Sequence, residues 1–254
     1  MNSNEMFRWS KSLLLIAVFL STLPYSLAQA QPWIVHGDGR LDEDVRAATV
    51  ELSDGRSICS AVLIGANTAL TAAHCVLEDR PRKLIFSPDA TALGAPMRPV
   101  DRVALPPDLD RKRLVTLPRL KDLADIAVLH FTGELPPGYH PAALLSNSES
   151  IADGQAVMIA GFGVSDPSLN QSSGVLRQTQ VRVLDRAYAA TEIQLDASHG
   201  GSCYGDSGGP AFVRVDGRLA VLAIDNWGQG PCNQFSIYAA VAAHLDWIST
   251  TAYF

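Results

Sequence analysis

Residues 201–210 read GSCYGDSGGP, and this run of glycines around a serine constrains the structure more closely than any other stretch. Gly205, Gly208 and Gly209 allow the backbone to turn tightly around Ser207 and to approach a bound group closely. Backbone N–H groups at such a turn can converge on one oxygen atom. A serine hydroxyl is a weak nucleophile, so a reactive Ser207 needs a base and an orienting acid from elsewhere in the chain.

Two upstream segments supply those groups. Residues 71–75 read TAAHC and contain His74, and residues 125–129 read DIAVL and begin with Asp125. His74 precedes Asp125 by 51 residues, and Asp125 precedes Ser207 by 82. With the three segments in the order His, Asp, Ser, the chain resembles the chymotrypsin/trypsin family of serine proteases (peptidase family S1).

The resemblance extends over nearly all of the chain after residue 30. Ile34 and Val35 resemble the new N-terminus that the family forms on activation, and residues 160–163 (AGFG) resemble the strand that opens its second barrel. Residues 226–228 (NWG) resemble the substrate-binding strand, and residues 246–248 (DWI) resemble the closing helix. It therefore implies one protease domain over residues 34–254.

Periodicity alone predicts a mostly β chain, because short β-branched or alternating runs recur between turn residues. These runs are residues 48–52, 61–64, 83–86, 126–131, 156–160, 176–184, 211–215 and 218–224. An Ala-rich stretch with helical spacing predicts a helix over 239–248, and residues 132–148 are the predicted crossing between two halves. The resemblance implies an all-β fold: two six-stranded antiparallel β-barrels of the trypsin-like fold, with a C-terminal helix and the active site between the barrels.

The resemblance also assigns roles. It makes Ser207 the nucleophile, His74 the group that takes its proton, and Asp125 the residue that orients the imidazole. The N–H groups of Gly205 and Ser207 would bind the oxyanion of the tetrahedral intermediate. The implied reaction is endopeptidase hydrolysis of polypeptides by a monomer through an acyl-enzyme, with no cofactor and no metal.

The N-terminal segment predicts export. Arg8 and Lys11 precede the apolar run 13–20, and the AQA pattern at 28–30 predicts signal-peptide cleavage after Ala30. Eight apolar residues are too few to span a bilayer, so no membrane anchor is expected after cleavage, and the protein is expected to be secreted or periplasmic. By resemblance, an activating protease would then remove residues 31–33 of a zymogen, and the freed amino group of Ile34 would pair with Asp206.

Composition and charge are consistent with an exported globular enzyme. The 254-residue chain is 47% hydrophobic and 18% charged, and without residues 1–30 it has 18 basic and 25 acidic residues, a net charge of −7. An acidic protein is a poor ligand for nucleic acid or anionic membranes. Residues 80–121 depart from this balance with ten Lys/Arg and four Asp, which we interpret as solvated surface.

The four cysteines also agree with export, since an even number in an oxidising compartment predicts two disulfides. Three connectivities are open from the sequence. The resemblance selects Cys59–Cys75 and Cys203–Cys232.

The sequence gives conflicting indications about the specificity of the substrate pocket. The resemblance places Gly201 at its base, where trypsin-like members carry an Asp that pairs with Arg or Lys. The remaining pocket residues that it assigns are Ser202, Asp225, Asn226, Trp227, Gly228 and Ser236. We expect a small-to-medium apolar residue before the scissile bond, with the alternative that Asp225 turns inward and recruits a basic one.

Two other classes of function fit parts of the sequence. Gly205, Ser207 and Gly209 also match the nucleophile turn of α/β-hydrolases, with Asp225 and His244 following in that fold's order. Only 47 residues follow Ser207 and no strand–helix alternation precedes it, which argues against that esterase fold. An inactive protease-like binding module is the other alternative, and the presence of all three of His74, Asp125 and Ser207 argues against it.

Overall fold

The first half of the chain forms a closed barrel. A computed structural model describes residues 41–167, 172–229 and 231–252. Six antiparallel strands close in the order β1-β2-β3-β6-β5-β4. They are β1 (Thr49–Ser53), β2 (Ile58–Leu63), β3 (Thr68–Thr71), β4 (Lys83–Ile85), β5 (Met97–Ala104) and β6 (Ala127–Phe131).

The second half forms another six-stranded antiparallel barrel. Its strands follow the order β11-β8-β9-β10-β13-β12, and pairing of β11 with β12 closes the ring. They are β8 (Ala156–Gly161), β9 (Arg177–Asp185), β10 (Glu192–Asp196), β11 (Pro210–Val215), β12 (Arg218–Gly228) and β13 (Phe235–Ala240). A two-residue strand, β7 (Ala143–Leu144), adds to β12 in parallel. The predicted all-β double barrel is therefore confirmed.

Strand β6 explains why parts of the sequence are continuously apolar rather than alternating. Successive side chains of a strand point to opposite faces, and all five residues of β6 are buried. Ala127 and Leu129 belong to the core inside the first barrel, whereas Val128 belongs to the cluster shared by both barrels. Both faces of β6 thus pack against protein, which fixes this strand, and Asp125 just before it, against the second barrel.

The chain passes from the first barrel to the second between Phe131 and Ala156, a stretch that contains β7 and the predicted crossing at residues 132–148. No helix in the described part of the chain has the length and apolar character needed to cross a membrane.

The described part of the chain contains three short α-helices, of which the sequence predicted only the last. They are α1 (Glu43–Ala48), α2 (Arg111–Thr116) and α3 (Leu245–Ala252). The first two have six residues each, too few to show a helical period, and are capped by Asp42 and Asp110. Asp110, for example, accepts a hydrogen bond from the N–H of Arg113 at 3.0 Å.

The predicted start of the last helix at residue 239 is wrong. Ala239 and Ala240 end strand β13, a 3₁₀ turn follows over Val241–His244, and α3 begins at Leu245. Ala239 is paired with Glu192 of β10 on one side and with Ile224 of β12 on the other. Pairing with strands on both sides outweighs the helix preference of alanine, which is only a weak local bias.

Candidate active site

His74 and Asp125 meet because two neighbouring strands deliver them to the same end of the first barrel. Strand β3 pairs Thr71 with Ala127 of β6, so His74 follows β3 while Asp125 immediately precedes β6. Asp125 Oδ1 accepts the backbone N–H of His74 at 2.9 Å. Its Oδ2 lies 2.8 Å from the ring Nδ1 of His74. The Asp125 carboxylate therefore fixes both the backbone and the ring of His74.

This pair sets the protonation chemistry of His74. Burial acts to lower the pKa of the imidazole, but the charge and hydrogen bond of Asp125, helped by the charge of Asp225, outweigh it and raise the pKa. A carboxylate acceptor places a proton on Nδ1 and leaves Nε2 as the basic nitrogen of the neutral ring. The His74 side chain keeps 33% of its surface exposed, so the imidazole remains open to a reactant.

Ser207 lies on a turn that is bonded to the first barrel beside His74. Its carbonyl oxygen accepts the N–H of Ser60 at 2.8 Å, and Sγ of Cys75 lies 3.7 Å from the same oxygen. The neighbouring Gly208 has φ +81°, and a Cβ there would overlap Thr71 Oγ1. Only glycine fits this approach, which places the Ser207 turn against the segment leading to His74.

In the described residues there is no hydrogen bond between the Ser207 hydroxyl and the His74 ring. Catalytic hydrogen bonds of this kind are often long in the free enzyme and shorten when substrate binds.

The turn around Ser207 also presents backbone donors. Asp206 N–H donates to Cys203 O at 3.0 Å and Gly208 N–H donates to Asp225 O at 2.8 Å. In the described structure, by contrast, the N–H groups of Gly205 and Ser207 donate to no protein acceptor. Two free N–H groups that flank one turn are what binding of a developing oxyanion requires.

Asp206 is buried behind this turn, held by backbone amides. Its Oδ1 accepts the N–H of Gly163 at 2.8 Å and its Oδ2 accepts the N–H of Cys203 at 2.9 Å. Burial raises the pKa of Asp206 to about 6, although these two amides and the charge of Arg177 act to lower it. A Cβ at Gly163 would lie 2.6 Å from the carboxylate, so the glycine allows this contact. The partner implied for Asp206, Ile34, lies outside the described residues.

A cavity of about 240 Å³ adjoins Ser207. Of the pocket residues expected from the sequence, Ser202, Asp225, Asn226, Trp227 and Gly228 line it. Gly201 and Ser236 lie outside this lining. A Cβ at Gly201 would overlap the Cβ of Ala197, whereas Ser236 sits behind Ser202, with the two hydroxyl oxygens 2.9 Å apart. Neither residue is therefore part of the cavity wall.

Asn226 stands between the pocket and the His74–Asp125 pair. With its amide oriented to suit its neighbours, the side-chain nitrogen donates to Ile224 O at 3.1 Å and to Asp125 O at 2.9 Å. Asn226 thereby ties the pocket strand β12 to the backbone of Asp125.

Sequence reasoning missed the residues at the rim of the cavity. Pro118 and Arg119 line it, as does Tyr204, which is 64% exposed. The Arg119 guanidinium lies over the Trp227 ring, 5.7 Å from its centroid. The sequence signal for Arg119 was the basic segment at residues 80–121. The charge of this segment alone does not reveal which of its basic residues reaches the cavity.

The structure contains two disulfides, Cys59–Cys75 and Cys203–Cys232. The first joins β2 to the turn that carries His74, and both cysteines of the second line the cavity. Atoms of Cys59, Cys75 and His74 lie within 4.8 Å of one another. Both sulfurs belong to the disulfide, so they are not the thiolates that metals bind.

Comparison with known proteins agrees with this geometry. Residues 34–248 match the model of the trypsin family. This chain belongs to the trypsin family. Members of the family are serine endopeptidases, so the enzyme is a hydrolase that acts on polypeptides. The α/β-hydrolase alternative is wrong, because two antiparallel barrels replace the parallel sheet which that fold requires.

Individual relatives are distant in sequence. A tryptase from Mus musculus is 28% identical to this trypsin-family chain over 217 residues, covering 75% of the chain and 77% of the relative. The venom plasminogen activator Haly-PA from Gloydius brevicauda is 27% identical over 257 residues, covering 93% and 95%. The solved structure of neuropsin, a serine protease expressed in the limbic system of mouse brain, has a TM-score of 0.70 at 22% identity. The match covers 85% of this chain and 98% of neuropsin, and it shows the shared fold.

Proposed function

We propose that this trypsin-family enzyme is exported and cleaves peptide bonds with Ser207, His74 and Asp125 as its catalytic triad. The main support is the double hydrogen bond from His74 to Asp125, at 2.9 and 2.8 Å, on the segment that packs against the Ser207 turn. A carboxylate that fixes the imidazole tautomer and orientation is what converts a serine hydroxyl into a nucleophile.

In the first half of the reaction, Ser207 Oγ attacks the carbonyl carbon of the scissile bond and its proton passes to Nε2 of His74. The bond from Nδ1 to Asp125 stabilises the imidazolium that forms, and Asp125 stays ionised. His74 then gives the proton to the leaving amine, the C–N bond breaks and an acyl-Ser207 ester remains. Water attacks this ester with His74 again as base, which releases the acid product and restores Ser207.

The oxyanion formed in each half is assigned to the N–H groups of Gly205 and Ser207. Both donors are unoccupied within the described chain, so binding the oxyanion breaks no protein hydrogen bond. Loss of one such donor typically lowers kcat by about 10²–10³-fold.

Export and activation complete the proposal. Residues 1–30 act as a cleaved signal peptide, residues 31–33 as a short pro-segment, and residues 34–254 as the protease domain. The buried Asp206 carboxylate supports a role for the Ile34 amino group, because a buried charge needs a partner. We therefore place the active enzyme outside the cell or in the periplasm.

The test is covalent labelling with a fluorescent fluorophosphonate, which reacts with an activated serine without needing a peptide side chain. Processed protein should be labelled on Ser207. Ser207→Ala should abolish labelling and lower kcat roughly 10⁶-fold, while exposed Ser150→Ala provides a matched control that should label normally. Unlabelled, folded, processed protein would favour the inactive binding module.

A further inference from the structure

Asp225 is a buried carboxylate in the wall of the cavity beside Ser207. The residue is only 3% exposed and lines that cavity. Its Oδ1 accepts one hydrogen bond, from Ser202 Oγ at 3.1 Å. An ionised carboxylate has about four acceptor sites, and one neutral hydroxyl satisfies only one of them. Within the described chain no lysine or arginine forms an ion pair with Asp225.

The surroundings of Asp225 oppose its ionisation while no cation is near. Burial raises the pKa of Asp225 well above its ordinary value, and the charges of Asp206 and Asp125 raise it further. The Ser202 hydroxyl and the charge of His74 act in the opposite direction without cancelling the rise. Tyr238, the cross-strand partner of Asp225 on β13, is buried as well, and the charge of Asp225 contributes to its raised pKa. A cation that enters this space would stabilise the ionised form of Asp225.

Position 201, which lies outside the lining of the cavity, offers no room for an acidic group. A Cβ at Gly201 would overlap the Cβ of Ala197, so position 201 accommodates no side chain without rearrangement. The acidic side chain of this pocket is therefore that of Asp225 on strand β12. Ser202 holds it in place, and the oxygen of Ser236 lies 2.9 Å behind Ser202.

We propose that Asp225 is the specificity-determining residue of this pocket and selects a cationic side chain, of lysine or arginine, before the scissile bond. The inference rests on the proposed function and replaces the apolar preference expected from the sequence. A cation that binds here stabilises the ionised form of Asp225 and adds a partner to a carboxyl group that accepts one hydrogen bond, from Ser202. An apolar side chain would supply no such partner. Arg119 lines the same cavity, but its guanidinium lies over Trp227 at the rim and makes no ion pair with Asp225.

The decisive substrates are two peptides that differ only in the residue before the scissile bond, arginine in one and its neutral isostere citrulline in the other. The active enzyme should prefer arginine in kcat/KM by roughly 10²-fold, the scale of a charge-assisted hydrogen-bonded pair. Asp225→Asn should reduce this ratio to near one. Exposed Asp216→Asn, which removes the same charge away from the cavity, should keep the ratio.

A measurement on the unaltered enzyme covers the case in which Asp225→Asn does not fold. The cation p-aminobenzamidine should inhibit peptide hydrolysis competitively, at a concentration about 10²-fold lower than neutral p-aminobenzamide requires. Equal inhibition by both compounds, or a ratio of arginine to citrulline near one in the unaltered enzyme, would overturn the inference. Labelling of Ser207 by fluorophosphonate reports the proposed function separately, because that probe carries no side chain for the pocket.

Discussion

Asp125 accepts two hydrogen bonds from His74, one from the backbone N–H at 2.9 Å and one from ring Nδ1 at 2.8 Å. Both donors come from one residue, so the carboxylate is held by the 3₁₀ turn that carries His74 as well as by the imidazole. That turn is tied to β2 by the Cys59–Cys75 disulfide. The geometry of the proposed general base is thus set within the first barrel before any substrate binds.

Asp125→Asn should lower kcat by about 10⁴-fold with little change in KM. An amide can donate to Nδ1, which moves the imidazole proton to Nε2 and removes the base that faces the nucleophile. Steady-state kinetics on a peptide substrate measures the loss. Exposed Asp79→Asn is the matched charge control and should behave like the unaltered enzyme. A decrease of less than tenfold in Asp125→Asn would argue against the role given to this residue.

The pH dependence of kcat/KM should report the raised pKa of His74. The base must be neutral to take the Ser207 proton, so activity is lost as pH falls through the pKa of His74 in the free enzyme. Since Asp125 and Asp225 together outweigh burial and raise that pKa, the acid limb should have its midpoint above the ordinary value of 6.5. A stopped-flow or initial-rate profile from pH 5 to 9 locates the limb. A midpoint below 6.5 would show that burial, not Asp125, dominates.

The fold class could be predicted because its signals are local and redundant. The motifs around His74, Asp125 and Ser207 occur in a fixed order, and short β runs fill the chain between them. The predicted start of the last helix at residue 239 is wrong because strand pairing decides the structure there. Ala239 lies in an Ala-rich stretch with helical spacing, yet hydrogen-bonding partners on both sides make it a strand residue.

The pocket shows the same limit of sequence reasoning. The sequence identifies Asp225 as an acid near the substrate-binding strand, but the direction of its side chain depends on Ser202, which is 23 residues away. Arg119 reaches the cavity through the loop that follows α2, and such a loop carries no periodic signal. Residues brought together by loops and by long-range hydrogen bonds therefore had to be found in the structure.

Activation should require a free amino group at Ile34. Protein that begins at Gln31 should show at most a few per cent of the activity of protein that begins at Ile34, because Asp206 then lacks its cationic partner and the Gly205–Ser207 turn loses support. N-terminal sequencing of active enzyme identifies the start, and active-site titration gives the competent fraction. Acetylation of the Ile34 amino group should abolish the activity gained when the chain begins at Ile34. Full activity with Gln31 first would contradict the proposed zymogen.

Glu51→Gln should stabilise the fold at alkaline pH and not at acid pH. Glu51 on β1 is 4% exposed, and its Oε2 has no hydrogen-bond partner in the described structure. Burial raises its pKa from 4.5 to about 7, with only the charge of Lys83 acting against the rise. The folded chain therefore binds a proton more tightly than the unfolded chain does. The resulting cost to folding is absent below pH 4.5, grows between 4.5 and 7, and is complete above 7.

Glutamine keeps the shape of Glu51 and removes the charge, so Tm should rise by a few degrees, roughly 1–2 kcal/mol, at pH 8.5. At pH 4.5 the two proteins should melt together, because Glu51 is then protonated in the folded state. Thermal melts are measured in the Ser207→Ala background, which prevents self-cleavage. Exposed Glu149→Gln is the charge-matched control. An equal gain at both pH values would mean that packing rather than the buried charge accounts for the effect, since only the charge titrates within this window.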